Sequence, residues 1–426
     1  MVGVCVVLGC SAFTPAPPDF NALTLDFGNR QVVITEADLA GGWFNYESQQ
    51  QLTHGKSMFA RATGLTTPAD FPGYFPDLVH YLDQMAAEFE VAPYDGRVNF
   101  FPNQTPRFTV TNQQPGRVID RERLYADLTA ALKGNRFPVI PVSFREVAPR
   151  EPTQIIAEIT QRGEFSTHFK VNPNRESNLA LALNKFNGLV ISPGETVSFN
   201  QVVGARTAEQ GFKEAKIIVN GEYVDGIGGG VCQVSTTVFN AVVQAGLQIV
   251  EAHHHTLPSS YVPLGTDAMV SSSADLKFTN NTGAPVYLET QLHNQQITVR
   301  VYGRDKGPQI TYRLATQTIK TIAPTEAWAE DVTPAQQAAY AAHPEQYERV
   351  LASAGQPGYT VDTYLETYQG SRRLSRKRLR RATYKSTPQR YTLRRTAVPD
   401  ADNTDDPDVS TPALTNFPAY FSGVRS

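Results

Sequence analysis

A chain of 426 residues is too long for one ordinary core, and length alone points to roughly two to four domains. Hydrophobic content of 41% beside charged content of 19% excludes an intrinsically disordered chain, and the lack of any run of about 20 apolar residues excludes an internal transmembrane helix. The net charge of -3 says little about partners; its distribution along the chain says more.

Val2 to Leu8 is almost wholly apolar and leads into Gly9-Cys10-Ser11 and a Pro-rich stretch, Pro15 to Pro18. This reads as the end of a secretion signal without its positively charged start. Residues 1–15 are therefore expected to be a leader, the protein exported, and any membrane contact made through an N-terminal anchor. Val7-Leu8-Gly9-Cys10 loosely matches a lipoprotein cleavage box, although Leu8 stands where a smaller residue is usual; a buried N-terminal strand is the alternative. Of the three cysteines, Cys5 and Cys10 fall in this leader, so Cys232 would remain as a lone thiol with no disulfide framework.

Leu23, Leu25 and Phe27 alternate, Gly28-Asn29 signals a turn, and Val32-Val33-Ile34 follows, a β pattern. Asp77 can cap a helix whose stripe is Leu78, Val79, Leu82, Met85, Ala86 and Phe89. A strand is predicted around Arg97 to Phe101, a helix from Asp120 carrying Leu124, Leu128 and Leu132, and a strand from Val139 to Val142. Residues 20–150 thus read as an α+β region. Farther on, Asn174 can cap a helix bearing Leu179, Ala182, Leu183 and Phe186, with Gly188 to end it. Two strands surround the turn Ser192-Pro193-Gly194-Glu195. A helix is predicted from Val231 to Ala245, then strands at 247–253, 261–263, 275–279, 285–290 and 296–302. Residues 306–398 form a β-rich unit in which Tyr359, Val361, Thr363 and Leu365 alternate with polar residues and Gln369-Gly370-Ser371 turns the chain. From Pro399 to residue 426 the chain is acidic and expected to be disordered. The fold class is α+β and multidomain.

The segment Gly228-Gly229-Gly230-Val231-Cys232-Gln233-Val234-Ser235-Thr236-Thr237 carries the chemistry. Glycines permit positive φ and the close approach of a ligand. They run into a helix, so Cys232 occupies its first turn, where unpaired N–H groups and the positive end of the dipole favour a thiolate. The helix is about 22 Å long, and a strand from Leu247 to His253 covers about 23 Å. If that strand runs back antiparallel, His253, His254 and His255 arrive beside Cys232, with His253 and His255 on one face. Either could act as general base toward a cysteine nucleophile, with Asp267 or Glu251 to orient it. A buried packing cysteine is the alternative, and a zinc site of Cys232, His253 and His255 is a third; no cofactor motif is evident. Gln233, Ser235 and Thr236 are candidate ligand contacts, although the hydroxyls can equally bond back to their own helix. Arg206 could clamp a carboxylate or pair with Glu195, and Asn200 is a candidate contact or turn former.

Phe165-Ser166-Thr167, Arg175 with Asn178, Pro193-Gly194-Glu195, Ser198-Phe199-Asn200, Gly204 with Arg206-Thr207, the cysteine segment, Asn240-Ala241, Glu251, His253 with His255, Tyr261-Val262-Pro263, and Gly265 with Asp267-Ala268 together resemble the VanW family over residues 163–303. The resemblance implies a mixed α/β domain in an extracellular, cell-wall-associated protein, with peptidoglycan or its stem peptide as partner and vancomycin resistance as a recurrent context. It hands over no mechanism. His254 and Thr256 stand where a Pro and a Ser are common, and Ala252 replaces a frequent Arg; if that Arg holds an anion in relatives, the contact is lost or relocated here. The element order of 20–150 resembles the peptidoglycan-binding domain that often precedes VanW domains and some L,D-transpeptidase domains. Residues 306–398 resemble the glycine-marked G-five wall module at Gly355, Gly358 and Gly370.

Between Arg372 and Arg395 lie eleven Lys or Arg residues, a run that attracts polyanions such as anionic wall polymers. A solvated strand face is the alternative, and no nucleic-acid fold signature accompanies the run. Two functions follow from the sequence: an exported wall-binding protein, or a Cys–His enzyme of acyl transfer or hydrolysis on peptidoglycan.

Overall fold

Alternation of apolar residues makes the first hairpin: β1 (Ala22–Asp26) pairs antiparallel with β2 (Gln31–Thr35), and Leu23, Leu25, Val32 and Ile34 all face inward. A computed structural model describes residues 22–35, 38, 69, 71–133, 139–219 and 222–396; the expected leader at 1–15 and tail at 399–426 lie outside the described residues. Helix α1 (Pro76–Phe89) starts two residues earlier than an Asp77 cap would place it. Pro76 takes the first helical position and Asp77 falls in the first turn, where its charge meets the positive end of the dipole. After β3 (Arg97–Phe100) and β4 (Phe108–Thr111), which pair together, β5 (Gly116–Ile119) leads into α2 (Arg121–Lys133). Asp120 does cap that helix, accepting the Arg123 N–H at 3.1 Å. Then β6 (Val139–Pro141) lies parallel to β1, and β7 (Phe144–Val147) returns to β5. Phe71, Phe75, Leu78, Leu124 and Leu128 close one core under this region.

The central region runs β8 (Ile159–His168), α3 (Pro173–Asn184), β9 (Val190–Ile191), β10 (Thr196–Ser198), α4 (Phe199–Val203), β11 (Glu214–Val219), β12 (Glu222–Ile227), α5 (Val231–Gln244), β13 (Gln248–Glu251), β14 (Lys277–Thr279), β15 (Val286–His293) and β16 (Gln296–Arg304). Its sheet has the order β8-β16-β15-β9, and a smaller one has β10-β14-β13. Helix α3 is capped by Asn172, which accepts the Arg175 N–H at 2.9 Å, rather than by Asn174. Pro173 fits only the first helical turn, so the cap must precede it; the Asn174 amide donates instead to the Glu214 carbonyl. Helix α5 is buried on all sides: Val234, Val238, Phe239, Ala241 and Val242 are fully covered. It crosses β8 at Gly163, where a Cβ would stand 2.5 Å from the Ala241 carbonyl oxygen. The expected strand at 261–263 does not form: the chain turns and bends there, and the next turn, 263–266, is closed by the Thr266 N–H on the Pro263 carbonyl.

The remaining described chain is mostly β: β17 (Ile310–Ile322), β18 (Glu326–Trp328), α6 (Pro334–Ala342), β19 (Tyr347–Ser353), β20 (Gly358–Gln369), β21 (Arg372–Tyr384) and β22 (Gln389–Arg395). They form two sheets, β17-β20-β21 and β18-β22-β19. Carboxylates within the first sheet meet much of the basic strand. Glu366 pairs with Arg313, Arg373 and Arg376, and Asp362 with Arg378 and Arg381. The fold class is α+β. No helix among the described residues is long and apolar enough to cross a membrane.

Candidate functional site

The backbone around the three glycines sets where Cys232 stands. Gly230 caps α5 with φ 113, a conformation that disfavours any side chain. Gly229 passes so near β11 that a Cβ would lie 2.6 Å from the Ala215 carbonyl oxygen. The N–H groups of Val231 and Gln233 close local turns onto the carbonyls of Gly228 and Gly230, and the buried Asn178 amide donates to the Gly229 carbonyl at 3.0 Å. Cys232 is the second helical residue, partly exposed, with its thiol 3.4 Å from the Val270 carbonyl oxygen.

His255 is the histidine that meets it. Strand β13 stops at Glu251 after a bulge, so the expected alternation does not extend to the histidines. His253 points outward to Glu251 at 2.9 Å and is half exposed, which removes it from the site. His254 packs its ring on Tyr384. His255 turns inward and is 5% exposed. Asp267 Oδ2 accepts both its backbone N–H at 2.7 Å and its ring Nδ1 at 2.6 Å. That fixes the tautomer and leaves Nε2 for the thiol. Glu251, the other candidate orienter, is occupied by Lys277 and His253.

The charges reinforce one another. Burial pushes the Cys232 thiol up, but the neighbouring His255 and Arg206 outweigh it and leave the thiol below its ordinary value. Burial works against the His255 imidazolium, yet Asp267 and the thiol carry it to about 9. Asp267, which burial alone would raise, is held at about 2 by His255, Arg380 and Tyr384. Because the groups are coupled, the thiol and imidazole titrate as a pair. Cys232, His255 and Asp267 therefore form an ordered thiol–imidazole–carboxylate line with the polarity of a thiolate–imidazolium pair.

This line opens on a groove of about 1240 Å³. Lys170, Arg175, Arg206 and Lys216 are among its lining residues, and no Asp or Glu lines it among the described residues. Gly228, Gly230 and Gln233 also line it, but Gly229 and Asn200 do not. Gln233 is buried, tying Arg175 to Thr167 and the His168 carbonyl. Ser235 and Thr236, expected as ligand contacts, are fully buried. The Ser235 hydroxyl bonds the carbonyls of Cys232 and Ala268, and Thr236 accepts the Ala268 N–H, so these hydroxyls hold the 268 segment on the helix. Asn200 is likewise a scaffold residue, donating to the carbonyls of Ser271 and Ala274 and accepting from Arg206. Arg206 thus pairs with Asn200 and the Val270 carbonyl, whereas Glu195 folds back on the Ser192 N–H. Sequence reasoning missed Tyr261, a groove residue whose hydroxyl is bonded to Thr236 and raised above the ordinary range by burial. It also missed Tyr384 and Arg380 behind Asp267.

Comparison with known proteins agrees in placing the resemblance on this region. The family described as VanW like protein matches residues 174–302. Over 198 residues the chain is 38% identical to "Uncharacterized protein YoaR" of Bacillus subtilis, covering 45% of this chain and 65% of that one. It is 32% identical over 155 residues to "Vancomycin B-type resistance protein VanW" of Enterococcus faecalis, covering 35% of this chain and 56% of that protein. The match therefore spans less than two thirds of either relative. No solved structure matches the chain significantly. Residues 174–302, which contain Cys232, His255 and Asp267, are a VanW-like domain.

Proposed function

We propose that this protein is a cysteine-dependent acyltransferase or hydrolase acting on carboxylate-bearing peptides of the peptidoglycan stem type in the cell envelope. The observation that carries the reading is the hydrogen bond of His255 Nδ1 to Asp267 at 2.6 Å, with the other face of the imidazole given to a thiol at a helix start. A packing cysteine needs neither a buried histidine nor a buried acid behind it. The thiolate of Cys232 attacks an amide carbonyl and forms a C–S bond. The tetrahedral adduct breaks its C–N bond as imidazolium His255 gives its proton to the leaving amine. The resulting thioester is released by water or by an incoming amine, whose proton His255 takes. The cationic lining of the groove supports a substrate with free carboxylates. The resistance named for the enterococcal relative, and the apolar start of the chain, support the envelope as the setting. On the same footing the N-terminal region and the β-rich unit would add wall affinity, with the lysines and arginines of β21 left over from Glu366 and Asp362 facing anionic polymers.

Incubation with purified muropeptides, followed by intact-protein mass spectrometry, tests this directly. A transient adduct of acyl mass on Cys232, absent from Cys232→Ser, is expected together with release of an amine. Muropeptide binding without adduct or product, in wild type and Cys232→Ser alike, would instead establish a non-catalytic wall-binding groove.

A further inference from the structure

Asp267 is held from outside the VanW-like domain. Its Oδ2 is occupied by His255, and its Oδ1 accepts the Tyr384 hydroxyl at 2.6 Å. Tyr384 is 1% exposed at the end of β21, 117 residues along the chain. Its oxygen already accepts the Gly265 N–H at 2.8 Å, so its own proton is directed at Asp267. Arg380, also on β21, places Nη2 3.5 Å from Oδ1 and donates to the carbonyls of Gly265 and Asp267. Thr363 of β20 donates to the Gly265 carbonyl at 2.8 Å. Contact here is so close that a Cβ on Gly265 would stand 2.5 Å from the Thr363 hydroxyl oxygen. Arg380 keeps Nε and Nη1 buried with no hydrogen-bond partner. The guanidinium lies 5.5 Å from the centroid of the Phe239 ring, so its charge is held between an aromatic face and the Asp267 carboxylate.

Resting on the acyl-transfer reading above, we infer that Tyr384 and Arg380 are positioning residues for the acid of the triad, so that the β17-β20-β21 sheet is part of the catalytic machinery. Tyr384 fixes the carboxylate in the rotamer that accepts from Nδ1, and Arg380 keeps it ionised. Both act on the thiol only through Asp267 and His255. Other charged and titratable groups facing this line are Arg206 and Tyr261 beside Cys232, Arg175 beside Tyr261, and His254 against the Tyr384 ring.

The test is the pH profile of Cys232 alkylation by iodoacetamide in the full chain, for wild type, Tyr384→Phe, Asp267→Asn and the double variant. Tyr384→Phe is expected to raise the inflection by about one pH unit and to lower muropeptide kcat with little change in KM. On the Asp267→Asn background the same substitution should add nothing, whereas a merely structural contribution would persist. If Tyr384→Phe fails to fold, Arg380→Gln should give a smaller rise in the same direction. A wild-type profile already depressed and superimposable on that of the β21 variant overturns the positioning role alone. A wild-type thiol titrating at the ordinary free value overturns the acyl-transfer reading, and this inference with it.

Discussion

Two buried carboxylates stand where the flanking regions attach to the central domain, and they differ in what faces them. Glu289 on β15 is 1% exposed. It accepts the Asn103 N–H at 2.8 Å and Arg107 at 2.9 Å, with Arg300 and Tyr302 at 3.4 and 3.3 Å. Asp267 is equally buried and also has an arginine and a tyrosine behind it. The first acid is enclosed by donors and adjoins the aromatic contact of Phe108 with Tyr287 and Tyr302; it ties the N-terminal region to the sheet. The second gives one oxygen to an imidazole whose far side meets a thiol and a groove. Burial of an acid is thus shared by a structural tie and by the proposed reaction centre. An imidazole that faces a thiol and a groove separates them.

Breaking each corner should have different consequences. The largest effect is expected for Cys232→Ala, which should abolish muropeptide turnover while leaving the denaturant midpoint nearly unchanged, since the thiol is small and partly exposed. Glu289→Ala should cost about 1–3 kcal/mol in urea unfolding by removing the acceptor shared by the Asn103 N–H, Arg107 and Tyr302, yet leave the pH profile of thiol alkylation where it was. A thiol profile that moved with Glu289 would erase the distinction between the two acids. Asp267→Asn should cost about 2 kcal/mol near pH 6. Its carboxyl is depressed to about 2 in the folded protein, so that contribution is complete above the ordinary value of 3.8 and lost as pH falls through about 2. The stability gap to wild type should therefore close in strong acid. Gly229→Ala should destabilise by about 1–3 kcal/mol, because the added methyl meets the Ala215 backbone. His253→Ala should change stability by less than about 0.5 kcal/mol and leave turnover intact, being one half of an exposed pair.

Parts of this arrangement were legible in the sequence, because they rest on local rules. Three glycines followed by an apolar stretch predict a helix start at Val231, and it begins there. The lengths of helix and strand predict a histidine returning toward Cys232, and one does. Which histidine returns was not legible: it depends on a bulge and an early end to β13, set by pairing with β14 rather than by the residues' own period. Asn174 and Asp77 were misplaced as caps because the adjoining prolines, which fix the first helical position, were given too little weight. Ser235 and Thr236 look like binding hydroxyls until the 268 segment covers them. Tyr384 and Arg380 carry no local signal at all. They lie on a basic strand whose composition suggests a polyanion or solvent, and a contact across 117 residues is a tertiary fact.

The most direct measurement is the alkylation rate of Cys232 against pH in wild type and in His255→Gln. The account expects a wild-type inflection well below the ordinary thiol value of about 8.5, moving back toward it when the imidazole is removed. An inflection at the ordinary value in both proteins, or a thiol that does not react in either, would contradict it.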